Sequence, residues 1–273
     1  MFDTLFIHPV INLLVVILHV FLFLNIPYAL GFSIITMTVI IRLLLYPLMG
    51  SQMKTTKKLQ ELSPLLAKLK EQHKGDAKRL QQETMSLYKQ HGVNPAAGCL
   101  PVLIQLPLFF SLYTVIRKIV SDKALETING IVYIDALKMA NIGDATFFGM
   151  PLGHTPAQLT GTLAIFSFII PIATGILQFV QSKMIAPAQP AKNTIAKNEK
   201  KPASGASGAG DDFAKALQMQ TTYILPVMIG FFSYSFSVGL SLYWNTFTIF
   251  GIIQQYRMQG LGGLALWKKT TRN

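Results

Sequence analysis

The stretch Gly31 to Gly50, GFSIITMTVIIRLLLYPLMG, constrains this chain more than any other. It has the length and apolar content of a membrane-spanning helix, which needs about 20 residues to cross a hydrocarbon core. It also carries one arginine, Arg42, near its middle. From Thr4 to Ile41 there is no Lys, Arg, Asp or Glu, so Arg42 is the first cation the chain offers. A charge at the bilayer centre costs at least ~2.5–3.5 kcal/mol, and a span that keeps one points it at a wet cavity or a partner. The other outcome is an arginine that snorkels to the nearer interface. Thr38 and Tyr46 stand four residues before and after Arg42, on the same helix face.

Composition places this span in context. The chain has 273 residues, 51% hydrophobic and 13% charged, against about a quarter charged in a soluble domain. The apolar runs are too long for the alternating strands of a β-barrel, so the fold class is an all-α integral membrane protein. The net charge of +12 raises nucleic acid as a partner. Its distribution follows the positive-inside rule instead, and no specific nucleic acid is expected. A single cysteine, Cys99, allows no internal disulfide and reads as a small apolar residue.

Residues 1–25 are apolar but not cleanly spanning. His8-Pro9 marks a helix start, and a helix from Pro9 to Leu24 is about 24 Å long, short for a ~30 Å core. His8, Asn12 and His19 share one face, which predicts an interfacial amphipathic helix, with a sixth span as the alternative. The first span is predicted over 28–49. Residues 51–95 then hold nine basic residues, among them Lys54, Lys57, Lys58, Lys68, Lys70 and Arg79, against four acids. Leu59, Leu62, Leu66 and Leu69 recur at helical spacing, and Leu80, Thr84, Leu87 and His91 mark a second helix, with the turn at His73 to Asp76. This predicts a basic helical hairpin outside the bilayer, facing anionic lipid.

The second span is predicted over 97–118, with Pro101, Gln105 and Pro107 inside it, and a mixed-charge extracytoplasmic loop over 119–157. The third span, 159–182, carries Ser167, Thr174, Gln178 and Gln181 on one face, and Pro171 and Gly175 as sites for a kink. Residues 183–217 are rich in Pro, Ala, Gly, Ser and Lys and read as a disordered cytoplasmic linker. A fourth span over 219–237 turns at Ser237-Val238-Gly239 into a fifth over 240–257, and 258–273 is a basic tail. Hairpin, linker and tail are basic and the loop after the second span is neutral. Five spans with the N-terminus outside and the C-terminus in the cytoplasm satisfy that pattern.

Polar side chains recur across these spans: Thr38 and Arg42, then Gln105, then Thr174 and Gln178, then Trp244 and Asn245. Amides and hydroxyls glue transmembrane helices together. An arginine with no Asp or Glu in any predicted span is not explained that way, and it needs water. The seam therefore predicts a hydrated groove with a positive potential. No GxxxxGK[ST], HExxH or GxSxG is present, and no span supplies an acid or histidine for a nucleophile, so no enzymatic activity, cofactor or metal is expected.

TVIIRLLLYPL, RLQQETMSLYKQHGVNPAAGCLPVLIQLPLFFSLY, LPVMIGFF and GLSLYWNTFTIFGIIQQY together resemble the YidC-type membrane protein insertases of the Oxa superfamily. The likeness runs from the first span to Tyr256, interrupted by the linker. It implies a bundle of five spans around a groove open to cytoplasm and lipid and closed outside. Arg42 matches the family's groove arginine, Thr38 its hydroxyl one turn earlier, and Gln178 a groove glutamine. The pair Tyr243-Trp244 matches an aromatic substrate contact, with either ring as the groove residue. Gln105 and Asn245 join the set from the seam alone. The implied partners are nascent membrane proteins, anionic lipids, and the Sec translocon and translating ribosome. The implied place is a bacterial cytoplasmic membrane. The expected form is a short one, without the large periplasmic domain of the enterobacterial type or an N-terminal lipoprotein cysteine. Without this resemblance a small-anion transporter or channel built on Arg42 comes ahead of the other readings, although no internal repeat relates the two halves.

Overall fold

A computed structural model describes residues 3–73, 75–94, 100–119, 123–186 and 219–264. Most of the linker, Cys99 and the tail beyond residue 264 lie outside the described residues. So do the side chains of Lys70 and of residues 100–104.

The described chain is predominantly helical. A π turn, Asp3–Ile7, leads into α1, His8–Phe23, with Pro9 in its first turn as predicted. α1 packs against α2, Ala29–Leu44. The polar face expected on α1 is split. His19 is exposed, whereas Asn12 is buried because all its capacity is used. Its Nδ2 donates to the carbonyls of His8 at 2.8 Å and Ile131 at 3.2 Å, and its Oδ1 accepts from the Tyr133 N–H at 2.8 Å.

The first apolar stretch does not run straight through to Met49. It breaks at Leu45, and α3, Tyr46–Glu61, starts at once. The axis turns by 61° between Ala29–Leu44 and Tyr46–Leu69. Pro47 accounts for the break, because it has no N–H to donate back and its ring crowds the carbonyl four residues earlier. α4, Ser63–Gln72, and α5, Ala77–Gln90, complete the hairpin. The predicted turn is where it was expected: Gly75 takes φ +98°, and the Asp76 carboxylate caps α5 by accepting from the Arg79 N–H at 2.9 Å.

α6, Leu100–Ile119, contains Pro107, whose carbonyl accepts from the Ser111 hydroxyl at 2.7 Å. Beyond it α7, Ala124–Asn129, precedes a two-strand hairpin, β1 (Thr146–Phe147) and β2 (Met150–Pro151), paired antiparallel with Thr146 opposite Pro151. Phe148 and Gly149 both have positive φ, as a tight two-residue turn requires. Phe147 lies over α2 where Gly31 has no side chain; a Cβ there would meet the ring.

α8, Gly161–Ser167, and α9, Ile169–Ile185, form one long apolar stretch. A π turn, Gln220–Ile224, opens α10, Leu225–Ser233. α11, Val238–Gln259, follows, capped by Ser237, whose hydroxyl accepts from the Leu240 N–H at 3.4 Å. α9 and α10 touch backbone to backbone: a Cβ on Gly230 would sit 3.1 Å from Gly175 Cα and 3.2 Å from the Pro171 carbonyl. Small residues at a helix crossing allow this approach. Pro171 and Gly175 therefore mark a contact face.

α11 is the hub, packing against α2, α3, α6 and α9. The bundle has a hairpin end, where α2 passes into α3 and α9 and α11 finish, and a loop end, where α2 and α11 begin. The main apolar core sits toward the loop end and includes Leu14, Leu18, Leu30, Ile34, Leu112, Ile116, Leu152 and Leu240. Asp3–Phe23 and Gly161–Ile185 are each long and apolar enough to cross a membrane, and the bent α2–α3 pair makes a third stretch if counted as one. The chain is an all-α membrane protein.

Candidate functional site

The break at Leu45 changes what kind of residue Arg42 is. It stands in the last turn of α2, where the aligned peptide dipoles favour a cation. Its side chain is 4% exposed and turns inward to α11. Nη2 donates to the Phe247 carbonyl at 2.7 Å, and Cζ lies 3.4 Å from the centre of the Phe247 ring. A guanidinium over an aromatic face is held by the ring quadrupole. Nε is buried with no hydrogen-bond partner. The approach depends on Gly251, because a Cβ there would come 2.8 Å from Nη2 and would also meet Nε2 of Gln181. Arg42 of α2, Gln181 of α9 and the bare backbone of α11 thus converge.

The other seam residues form two further groups. Gln105 Nε2 on α6 donates to the Tyr243 hydroxyl at 2.8 Å. Gln178 Oε1 on α9 accepts from the Trp244 indole N–H at 3.3 Å, and Trp244 stands edge-on to Phe109, with centroids 5.8 Å apart. Both aromatic residues are therefore turned into the bundle, Tyr243 toward α6 and Trp244 between α6 and α9. Below Gln178, the hydroxyls of Thr174, Ser233 and Ser241 form a buried chain with spacings of 3.2 and 3.1 Å.

Two predicted members are not brought into these groups. The Thr38 hydroxyl donates to its own helix at Ile34, 2.6 Å away. Asn245 joins none of the three groups, and its Oδ1 is buried with no partner. Lys54, Lys57, Lys58, Lys68 and Arg79 are exposed on the hairpin, apart from the seam.

Among the described residues, six buried side-chain polar atoms have no hydrogen-bond partner: Arg42 Nε, both amide atoms of Gln52, and the oxygens of Gln105, Asn245 and Gln254. Each orphaned buried group costs about 1–3 kcal/mol. All belong to α2, α3, α6 and α11. No three or more His, Cys, Asp or Glu come together as a metal site among the described residues.

Residues 21–261 match the family described as 60Kd inner membrane protein. The chain belongs to this family. Three curated relatives show what the chain is similar to. Membrane protein insertase YidC of Oceanobacillus iheyensis is 32% identical over 257 residues, 92% of this chain and 81% of the relative. Membrane protein insertase YidC 2 of Bacillus anthracis is 32% identical over 234 residues, 84% and 72%. Inner membrane protein ALBINO3 of Arabidopsis thaliana chloroplasts is 32% identical over 247 residues, 88% and 48%. The chain spans about half the length of the chloroplast relatives it matches.

For this member of the 60Kd inner membrane protein family, sequence reasoning missed Phe247, Gly251, Gln52 and Gln254 as parts of the site, and knew Gln181 only as one of a stripe. The one available signal was Gly251, a glycine four residues after Phe247 in the middle of a helix, where glycine costs about 1 kcal/mol relative to alanine and so asks for a close approach.

Proposed function

We propose that this protein is a membrane protein insertase, acting on nascent membrane proteins with short, often acidic, translocated segments at a bacterial cytoplasmic membrane. The observation that carries this reading is the line of orphaned polar atoms from Gln52 past Arg42 to Gln105. In a dry bundle these atoms are a steady cost; beside water or a polar guest they are binding capacity. The loop end, by contrast, is closed by apolar packing and by His154 and Leu152, whose carbonyls accept from the first N–H groups of α11, Val238 at 2.9 Å and Gly239 at 2.8 Å.

In this reading five spans surround a groove that opens at the hairpin end, in the cytoplasm. The hairpin lysines meet anionic lipid and the arriving chain, with the Sec translocon and translating ribosome as its sources. Both halves of α1 are covered by the segment between α6 and α8, through Asn12 at Ile131 and Tyr133 and through Leu22 beside Gly143. That supports an α1 lying across the outer face rather than crossing. Arg42 rests on Phe247 and keeps Nε free for an acid of the guest. The groove lowers the desolvation cost of the guest's polar part, and its apolar part then leaves for lipid, driven by burial of about 20 apolar residues.

Vesicles holding only the purified protein test this reading. They are expected to insert a small membrane protein with an acidic tail and to pass no small anion. Anion flux without insertion would replace this function with transport.

A further inference from the structure

Two buried glutamines lie outside the Arg42 cluster, where α3 meets α11. Gln52 is 6% exposed, and neither its Oε1 nor its Nε2 has a partner. Gln254 is 1% exposed; its Nε2 donates to the Tyr46 carbonyl at 3.2 Å, and its Oε1 has no partner. The junction is fixed on both sides of them. Gln259 Nε2 donates to the carbonyl of Met53, the residue after Gln52, and a Cβ on Gly50 would sit 3.1 Å from Met258 Cε. Both amides therefore belong to the hairpin end of the seam.

The unspent capacity has a definite chemistry. Two acceptors and one amide nitrogen are available. A cation uses only the oxygens, and an anion only the nitrogen. An amide uses both. A polypeptide offers one main-chain amide per residue whatever its side chains are, and each needs a partner as it leaves water. We infer that Gln52 and Gln254 are a docking site for main-chain amides of the chain being inserted, chiefly for its N–H groups. The inference rests on the insertase reading and extends it: Arg42 sorts guests by acidity, and this pair holds any guest by its backbone.

Full-length Gln52→Met and the Gln52→Met/Gln254→Met double variant, in the same vesicles, test it. The single variant removes a side chain with no bond to lose, so its Tm is expected to rise by about 2–4 °C. Its insertion rate is expected to fall about tenfold, equally for acidic and neutral segments. A structural amide would instead lower Tm and insertion together. The second probe is a substrate with ester linkages in place of amides in its translocated segment, which deletes N–H donors and keeps every side chain. Wild-type protein is expected to insert the ester form several-fold more slowly, and the double variant to treat both forms alike. Arg42→Ala is expected to keep the ester penalty while losing its preference for acids. An undiminished ester penalty in the double variant, or wild-type insertion by Gln52→Met, overturns the inference. Failure of wild-type vesicles to insert the amide form overturns the insertase reading beneath it. If Gln52→Met does not accumulate, Gln52→Asn withdraws the amide by one methylene and is read by the same ester comparison.

Discussion

The two ends of this bundle treat polar groups in opposite ways. At the loop end Asn12 spends both its amide atoms, and Asn129 both donates to and accepts from the backbone of Met139 at 2.9 Å. Thr155 and Gln158 complete a capping box. Along the seam toward the hairpin end, Gln52 spends neither atom, and Arg42, Gln105, Asn245 and Gln254 each hold one in reserve. The same residue types are present at both ends. Asparagine and glutamine are therefore no guide by themselves; what matters is whether the backbone around them completes their bonding. A satisfied amide stiffens the loop end; in the reading proposed above, an unsatisfied one prepares the other end for a visitor.

This contrast can be broken by mutation. The largest effect is expected from Asn12→Leu, which strands the Tyr133 N–H and the Ile131 carbonyl and costs about 3 kcal/mol. Thermal unfolding in detergent reads that loss, while insertion per folded molecule is expected to stay near wild type. Gly251→Leu comes next. It overpacks the meeting point of Arg42 and Gln181, at about 1–3 kcal/mol, and unlike Asn12→Leu it is expected to stop insertion of acidic-tailed substrates even in the folded fraction. Arg42→Ala follows, with insertion of acidic segments impaired more than that of neutral ones; equal loss on both would remove its sorting role. Arg42→Lys keeps the charge but not the plane that lies on Phe247, so an intermediate acidic-to-neutral ratio is expected. The smallest effect is Gly230→Ala, about 1 kcal/mol from separating α10 and α9, visible as a small drop in Tm and not as a change in substrate preference.

Much of this fold is legible in the sequence because membrane helices must satisfy their own backbones, which leaves apolar length and punctuation as the main signals. The hairpin turn at Gly75 and Asp76 and the proline start of α1 fall where turn chemistry places them, whereas the α10–α11 turn lies earlier than Ser237-Val238-Gly239: the chain turns over residues 234–236, Ser237 caps α11, and Val238 and Gly239 are already helical. The bend at Leu45 is less legible. Pro47 is plain in the sequence, yet an apolar run on both sides hides that the helix stops there, and so hides that Arg42 belongs to a last turn rather than a midpoint. The seam residues are recognisable as polar exceptions, but their pairing is not. Tyr243 and Trp244 are neighbours that point at different helices, and only the packing of α6 and α9 decides which takes which. Gln52 reads as one more polar residue of a charged hairpin, because burial at a helix junction leaves no mark on local composition.

The contact between Gly175 and Gly230 has a mechanical consequence. Helices whose main chains touch cannot part without opening a gap wider than any side chain there could fill. α9 and α10 therefore pack as a single plank, joined to α11 by the short turn that ends at Ser237. In the insertase reading proposed above, a sideways exit for a guest does not run between these two helices.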